Sequence, residues 1–446
     1  MRVASLSISI LIFMTSATSA AGIGGMGSVP YDSFEEPDVC ADCHVRFTTQ
    51  HEAALMHQSY THHWDEIEYF ELALPHSEKL DKVAGIKAGC NGCHAPLAFL
   101  DGDIPPKPPA EGTRANEGVS CHLCHSIVGH DGDVPFNGNF LVDTDSGMQG
   151  TRPGRESAYH EIVVNEYLGT ADFCGTCHNE QDPYGMWVKA THLEWQDGPW
   201  AARGVQCQDC HMPRAETAAA DGEEILPDAR QHLFHGAHDA SKLAGAVEVL
   251  LYCDDETVAA GNEIVIDAMV VNAKAGHMIP SGSVEERVVF LHVEATDSAG
   301  NTFHLPVDRK GFEGEDWTIA SSNATAYQDL GDIQGIDGWK GLPRDGDVPD
   351  GDRIFRMPYL DPNGNMTVAQ WHTASFGVDY RLPPLKAIPE TFTWTVPDDA
   401  APGPLTVEAK VYYQRVVASV VEHMEIPDEA RTHEEMGVAT LGLNVQ

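Results

Sequence analysis

The stretch from Cys174 to Met212 decides how the rest of this 446-residue chain is interpreted. One pattern occurs at both of its ends, first as Cys174-Gly-Thr-Cys-His178 and then as Cys207-Gln-Asp-Cys-His211. Two cysteines separated by two residues and followed directly by a histidine are typical of c-type haem attachment. The thiols form thioether bonds to the porphyrin, and the adjacent histidine ligates the iron.

The same pattern occurs three more times upstream, so the chain carries five copies. With 11 cysteines and 23 histidines, random placement would give only about 0.01 copies. The sequence therefore predicts five covalently bound haem c groups. We number the motifs along the chain: motif 1 is Cys40, Cys43 and His44; motif 2 is Cys90, Cys93 and His94; motif 3 is Cys121, Cys124 and His125; motif 4 is Cys174, Cys177 and His178; and motif 5 is Cys207, Cys210 and His211.

The distance between successive motifs alternates between long and short. Gly-Val precedes both motif 3 and motif 5, as Gly118-Val119 and Gly204-Val205. This regularity suggests a repeated two-haem unit, in which motif 2 pairs with motif 3 and motif 4 pairs with motif 5. With only two repeats, duplication and chance spacing both stay open.

The first 21 residues have the features of a secretory signal peptide. Arg2 precedes an apolar run around Leu11, and small residues follow up to Ala20 and Ala21, where we expect cleavage. An uncleaved membrane anchor is the alternative, but serines interrupt the run. No later apolar stretch is long enough to span a bilayer, so we predict a periplasmic or extracellular protein without a transmembrane helix in the mature chain.

Cysteine use excludes a disulfide within the chain. Ten of the eleven cysteines belong to the motifs, and only Cys253 remains. Cys253 follows an apolar run rich in β-branched residues, which predicts a buried strand thiol. Structural zinc sites are an alternative use of the cysteine pairs, but export and the histidine after every pair favour haem.

The formal net charge of −41 limits the choice of partners. Such acidity argues against binding to nucleic acid or to an anionic membrane surface. It fits electrostatic steering of a basic redox partner, and it also fits a protein that must stay soluble in a saline habitat.

The distribution of motifs and of β-branched residues predicts an α+β chain with two domains. Residues 22–242 hold all five motifs in short helices and loops, with the best helical periodicity over 52–74. Residues 243–446 predict an antiparallel, immunoglobulin-like β-sandwich with a hairpin turn at 298–301. The Gly-, Asp- and Pro-rich segment 308–381 is a predicted insertion, whose Asp345, Asp347, Asp350 and Asp352 form an acidic loop that fits no calcium-binding spacing.

Eighteen histidines remain outside the five motifs, so second axial ligands are plentiful. A second histidine on an iron favours low-potential electron transfer, whereas an open position permits substrate binding. His122 lies inside motif 3, and we expect it to face solvent. Met212 follows its motif histidine too closely to reach the far side of the same haem, so we expect a packing role.

The motifs and their neighbours resemble the multihaem cytochromes c that include the tetrahaem electron acceptors of hydroxylamine oxidation. The resemblance rests on motifs 2 to 5 with their flanking residues, on the segment from Asn272 to Gly282 around Gly-His277-Met-Ile-Pro, and on Asp379-Tyr-Arg-Leu-Pro-Pro384. It implies bis-histidine haems packed in close pairs. It also implies five distal ligands, at His57, His160, His232, His238 and His277.

Several of these ligand assignments have alternatives. The sequence departs from the family pattern next to His57, because His51 stands where the family usually has tryptophan. The tryptophans between motifs 4 and 5 are expected to wall off porphyrins from water. The credible substitutes as distal ligands are His62, His63, His76, His192 and His235.

The sequence thus predicts an exported protein that transfers electrons between redox partners, such as a basic cytochrome or a membrane quinol-oxidising complex. An enzyme with one open haem acting on nitrite, hydroxylamine or a similar small nitrogen or sulfur compound is the alternative. Pentahaem nitrite reductases usually replace one motif histidine with lysine and have a helical second half. All five motifs here end in histidine, and the second half favours β-structure, so an electron-transfer role is preferred over an enzyme.

Overall fold

The computed structural model describes residues 22–308, 348–349 and 351–446. The predicted signal peptide at 1–21 lies outside the described residues. Most of the predicted insertion lies outside them too, including three of its four aspartates, Asp345, Asp347 and Asp350. We call residues 22–242 the motif region and residues 243–446 the β region.

The motif region consists of short helices connected by loops. The helix predicted over 52–74 is wrong in its first part, because turns occupy 53–62. These turns bring the chain back toward motif 3, where Val119 N–H donates to the Met56 carbonyl over 3.0 Å. The helices are α1 Pro37–Ala41, α2 Val45–Glu52, α3 His63–Ile67, α4 Leu74–Lys79, α5 Ile86–His94, α6 Pro96–Asp101, α7 Cys121–Cys124, α8 Ala171–His178, α9 Thr191–Gln196, α10 Cys207–His211, α11 Ala240–Leu243 and, in the β region, α12 Ala418–His423, with a π-helical turn at Glu68–Ala73 between α3 and α4.

Small two-stranded sheets, which the sequence did not predict, link the motif helices. Three of these ladders are antiparallel, and the ladder between β3 and β4 is parallel. Each ladder fixes a loop next to a motif, because its backbone groups bond to the neighbouring strand. Their strands are β1 Ile127–His130, β2 Phe140–Val142, β3 Met148–Gly150, β4 Ile162–Val164, β5 Asn179–Gln181, β6 Trp187–Ala190, β7 Arg214–Ala218 and β8 Ile225–Arg230.

The β region contains a six-stranded and a three-stranded sheet. The strands of the β region are β9 Val247–Tyr252, β10 Thr257–Val258, β11 Glu263–Asn272, β12 Val288–Thr296, β13 Thr302–His304, β14 Arg353–Phe355, β15 Tyr359–Leu360, β16 Ser375–Phe376, β17 Ala387–Thr395, β18 Gly403–Gln414 and β19 His433–Val445. The larger sheet has the order β10-β19-β18-β12-β13, with β14 also paired to β12, and the smaller has the order β17-β11-β9. Strands β15 and β16 pair only with each other.

Alternating side chains from both larger sheets share one apolar core. Along β11 every second residue is buried, including Ile266, Ala268 and Val270. From the larger sheet, the neighbouring strands β12 and β18 contribute Val293 and Val407 to the same core. Such alternation is what a sheet with one covered face requires. The predicted hairpin at 298–301 is confirmed, since β12 and β13 pair antiparallel across it.

A second apolar core joins the two regions. Around Trp64 and Tyr69, side chains from α3 and the π-helical turn pack against side chains from the β region. The β-region members of this core include Phe290, Trp371, Val417 and Val421, all buried. The two regions therefore share an apolar interface and do not meet through polar contacts alone.

None of the helices in the described ranges is both long enough and apolar enough to cross a bilayer. The predicted strand position of Cys253 is wrong by one residue, because β9 ends at Tyr252. The Cys253 thiol is partly buried against the core between the two larger sheets, and this burial raises its pKa.

Candidate haem centres

Every motif begins within or next to a short helix. Motifs 2 and 4 close α5 and α8, and motifs 3 and 5 begin α7 and α10. At α10 the side chains of Gln206 and Asp209 form a capping box that satisfies backbone N–H groups at the start of the helix. A helical turn places both cysteines and the following histidine on adjacent positions of one surface, as covalent attachment to a single porphyrin requires.

The glycines before motifs 3 and 5 explain the repeated Gly-Val sequence. Gly118 has a φ of 55° and Gly204 a φ of 75°, which are left-handed conformations that favour glycine. At Gly118 a side chain would also overlap with the backbone carbonyl of His57. In both places the glycine therefore allows a tight turn of the backbone directly before the motif helix.

Thiols from different motifs lie close enough to shift one another's pKa. Motif 1 meets motif 3 through Cys40 and Cys121. Motif 4 meets motif 2 through Cys177 and Cys93, and it meets motif 5 through Cys174 and Cys207. Motif 4 therefore contacts two other motifs. The expected pairing of motif 4 with motif 5 is present, whereas the thiol contacts join motif 2 to motif 4 and not to motif 3.

Four of the five motif histidines bond a backbone carbonyl through Nδ1, which leaves Nε2 free. The acceptors are the carbonyls of Ser59 for His94, at 2.9 Å, and of Ala219, Gln149 and His235 for His44, His125 and His211, each at 2.7 Å. A carbonyl on the outer nitrogen fixes the tautomer and the ring orientation of a metal-binding histidine. These imidazoles are therefore prepared as Nε2 ligands.

Three of the five predicted distal histidines face a motif histidine at one common distance. The ring centres are 6.3 Å apart for His44 and His160, 6.2 Å for His125 and His232, and 6.4 Å for His211 and His277. Two imidazoles that bind one iron from opposite sides have ring centres about 6.2 Å apart. Each side contributes an iron–nitrogen bond of about 2.0 Å and a distance of about 1.1 Å from that nitrogen to its ring centre. The spacing fits one iron between each pair.

The other two predicted distal histidines lie elsewhere. The ring centre of His57 is 5.2 Å from that of His51, and the ring centre of His238 is 5.8 Å from that of His62. Among the histidine side chains that the structure describes, which exclude His63, none faces His94 or His178 at the iron-spanning distance. Burial lowers the pKa of His238 to about 3, so its imidazole is neutral and able to ligate a metal.

The histidines considered as substitute distal ligands have other partners in the structure. His192 is buried, and its two ring nitrogens contact Asp172 and Asn179 over 2.9 and 3.1 Å. His76 is also buried, and its Nδ1 accepts a hydrogen bond from Trp371 over 3.0 Å. His235 pairs with Asp239 over 3.0 Å. Nothing is described of the His63 side chain.

The expectation that His122 faces solvent is wrong. The ring is buried, and its Nδ1 accepts a hydrogen bond from the backbone N–H of Glu35 over 2.7 Å. The ring of Phe34 contacts it edge-on, with the two ring centres 5.6 Å apart. His122 therefore fastens the segment before α1 to motif 3.

The loop that carries His277 leaves β11 and lies against the stretch between motifs 4 and 5. A side chain at Gly276 would meet Trp195 and Trp200 at 3.3 and 3.5 Å, so the two indoles support this loop. Asn272 Nδ2 donates to the His277 carbonyl over 2.8 Å. Two of the tryptophans expected to wall off porphyrins thus position a loop from the β region.

Glu194 in α9 ties the same loop down from the other side. It accepts hydrogen bonds from Ser281 Oγ over 2.7 Å and from Met278 N–H over 3.2 Å. Arg381 pairs with Glu194 over 2.5 Å and with Asp379 over 2.8 Å. Arg381 and Asp379 belong to the Asp-Tyr-Arg-Leu-Pro-Pro segment on which the family resemblance partly rests, and here they fix the His277 loop.

A cavity of about 410 Å³ opens beside motif 2. Its lining includes the motif 2 cysteines and His94, together with Glu68, Glu180 and Lys189. Among the described residues, His94 is the only histidine in this lining. Sequence reasoning did not identify these charged residues, which come from three separate segments and follow no spacing rule.

Carboxylates gather between this cavity and the β region. Lys189 donates to Glu180 over 2.6 Å. Burial, followed by repulsion from Glu285, raises the pKa of Glu68 to about 8. Burial also raises the pKa of Glu285 to about 7, and neither of its carboxylate oxygens has a hydrogen-bond partner among the described residues.

Two family models match separate parts of the motif region. Residues 39–126 match cytochrome c554 and c-prime, and residues 156–241 match the N-terminal region of the NapC/NirT cytochrome c family. A comparison with curated proteins gives no match.

One solved structure is similar over almost the whole chain. It is a penta-haem cytochrome c552 from Thermochromatium tepidum, with 19% identity, a TM-score of 0.62, and coverage of 93% of this chain and 100% of that one. A cohesin from Pseudobacteroides cellulosolvens, at 10% identity, covers 45% of this chain and 92% of that one with a TM-score of 0.16. The fimbrial subunit AggA from Escherichia coli, also at 10% identity, covers 46% and 97% with a TM-score of 0.18, and neither carries any weight.

The fold similarity extends through both regions of the chain, whereas the two family models fall on the part that carries the motifs. The cysteine pairs, the carbonyl-bonded histidines and the facing rings are chemically suited to haem c in this part. The chain is a multihaem c-type cytochrome.

Proposed function

We propose that the protein is an exported five-haem electron carrier in which at least three haems have two histidine ligands. The observation that supports this most directly is the common 6.2–6.4 Å spacing of three ring pairs. Motif cysteines would attach each haem, and His160, His232 and His277 would complete the coordination at motifs 1, 3 and 5. Bound haem would supply the one-electron redox chemistry.

The polypeptide contributes spacing and environment to that chemistry. Contacts between motifs 1 and 3, 2 and 4, and 4 and 5 support closely packed haems, with motif 4 next to two neighbours. The excess of negative charge would lower the reduction potentials, since an added electron meets existing negative charge. Two histidine ligands on each of these irons would favour low-potential electron transfer.

We further propose redox partners that are proteins, such as a basic cytochrome or a quinol-oxidising membrane complex. The match to the NapC/NirT family supports a redox partner as a class. The net charge of −41 supports electrostatic attraction to a basic surface. The same proposal includes cleavage of residues 1–21 as a signal peptide, a domain boundary near residue 242 and an immunoglobulin-like arrangement of the two larger sheets.

Mass spectrometry and electron paramagnetic resonance of the purified protein test this function. The mature mass should exceed that of the polypeptide by five haems, and four or fewer would contradict the count. Quantified low-spin signals should account for at least three of the five irons. Fewer than three would contradict the assignment of facing histidine pairs.

The cavity beside motif 2 favours a second candidate function, an oxidoreductase for a small nitrogen or sulfur compound. Among the described residues its lining offers no second histidine, and it places carboxyl groups and Lys189 near His94. These side chains could hold a small polar substrate and donate protons to it. Turnover of nitrite or hydroxylamine by the wild-type protein, abolished by Lys189→Met, would support this function, and no turnover with a reduced, fully haem-loaded protein would exclude it for these substrates.

A further inference from the structure

A cluster of metal-binding side chains lies on the β region, outside the motif region altogether. Strand register brings the donors together on one surface. His304 in β13 lies opposite Glu294 in β12, and Leu291 lies opposite Arg353 in β14. Because alternate residues of a strand share a face, His292 and Glu294 point to the same side. Asp352, directly before β14, falls next to His292.

The side chains of this cluster contact one another. Asp352 accepts from His304 Nε2 over 2.7 Å and lies 3.0 Å from His292 Nδ1. The two imidazole rings are stacked, with centres 5.1 Å apart and planes inclined by 9°. Glu294 approaches the other nitrogen of His292 at 3.7 Å. The donor atoms of His292, His304 and Asp352 all lie within 4.8 Å of one another.

The burial of these groups is uneven in a way that suits a cation. The Asp352 side chain is fully buried, while His292 and His304 keep 22% and 32% of theirs exposed. A buried carboxylate needs a positive partner or strong donors. The nearest lysine by register is Lys410, opposite His292, and its amine is paired with Glu408. An ion could reach the imidazoles from solvent and meet the carboxylate beneath them.

We propose that His292, His304 and Asp352 bind a divalent transition-metal ion of the zinc class. Two imidazoles and one carboxylate are a borderline donor set that suits zinc better than calcium or magnesium. Ligand atoms on one tetrahedral zinc lie about 3.3 Å apart, so the distances from Asp352 to His304 and to His292 would widen by about 0.6 and 0.3 Å, while the donor atoms of all three residues already lie within 4.8 Å of one another.

The position of the ligands suggests what the ion does for the fold. His304 ends β13 and Asp352 precedes β14, so the ion would join the two ends of the connection between these strands. Gly351 has a φ of 100°, and a side chain there would lie 3.3 Å from the His304 ring. The backbone therefore needs glycine at this point to carry Asp352 beneath the imidazole. Binding to the folded state alone would stabilise the β region in proportion to metal concentration.

Hydrogen bonding without metal is the competing explanation, in which protonated histidines neutralise Asp352. The two explanations differ in their response to zinc. Zinc binding should be measured by calorimetry on the full-length, haem-loaded protein after chelator treatment, and the ligands identified by X-ray absorption at the zinc edge. We expect one zinc ion at this site, two imidazoles in its coordination shell and a higher Tm of the β region.

Variants assign the zinc to these residues. His304→Ala should weaken binding by about 100-fold, and Glu294→Gln should weaken it by less. His423→Ala, on the exposed side of α12 in the same region, is the matched control and should leave binding unchanged. The haem spectrum and circular dichroism verify that each variant is folded. Absence of zinc binding in the wild type, or equal binding by His304→Ala, would overturn the proposal.

Discussion

Replacement of His277 by alanine is the sharpest test of the proposed coordination, because this ligand comes from the β region. In the structure the His277 ring stands 6.4 Å from His211 and is inclined to it by only 20°. Alanine removes the imidazole but leaves the backbone carbonyl that accepts from Asn272. The loop should therefore keep its position while the motif 5 haem loses one axial ligand.

The expected magnitude follows from the motif count. One haem in five would change from low-spin to high-spin, so the high-spin signal should rise by about one fifth of total iron. The potential of that haem should also rise, because a bis-histidine environment favours low potential. Quantitative electron paramagnetic resonance of the oxidised protein measures the spin change, and added imidazole should reverse it.

His235→Ala is the matched control for this measurement. Its backbone carbonyl accepts from His211, and alanine preserves that bond. The His235 ring pairs with Asp239 and should be dispensable for the spin state. If His277→Ala produces no new high-spin iron, or if both variants produce the same amount, the assignment of His277 to motif 5 is wrong.

Three further predictions concern stability, each measured as a urea midpoint on haem-loaded protein. Glu194→Ala should lower the free energy of unfolding by about 3 kcal/mol, the lower end of the range for a broken buried ion pair, because Arg381 stays paired with Asp379. An unchanged urea midpoint would contradict the role of Glu194 in fixing the His277 loop. Gly118→Ala should cost about 2 kcal/mol or more from steric overlap and a strained φ, whereas Gly112→Ala, with a positive φ but open space, should cost less. The pKa of Glu68 is raised to about 8 in the folded state, whereas it is about 4.5 in the unfolded chain. The contribution of Glu68 to stability is therefore complete below about pH 4.5 and is lost as the pH rises toward 8. Glu68→Gln should therefore gain stability relative to wild type between pH 5 and pH 8, and a pH-independent difference would refute this.

The sequence predicted features that depend on local spacing. The five motifs and the hairpin turn at 298–301 follow from patterns within about ten residues. Strand β11 can be recognised from the sequence, because alternate residues are apolar along much of its length, and every second residue is buried in the structure. Strand β19 was missed, since only three of its thirteen residues are buried and its apolar period is weak.

Second histidines were harder to predict because they depend on tertiary structure. His160, His232 and His277 all face motifs that are distant in sequence from them. His57 was assigned from the family resemblance, yet the turns at 53–62 place it beside His51. The charged lining of the cavity beside motif 2 was missed for the same reason, because the π-helical turn at Glu68–Ala73, β5 and β6 meet only in the folded chain.

The loop carrying His277 has a consequence for how the protein matures. Under the proposed coordination, all five haems can be attached once the first half of the chain has emerged. The motif 5 iron would gain its second histidine only after β11 has formed and Glu194 and Arg381 have fixed the loop. A chain truncated or misfolded in its second half would thus carry its full set of haems and still be spectroscopically distinguishable. Completion of the last redox centre would report that the entire polypeptide has folded.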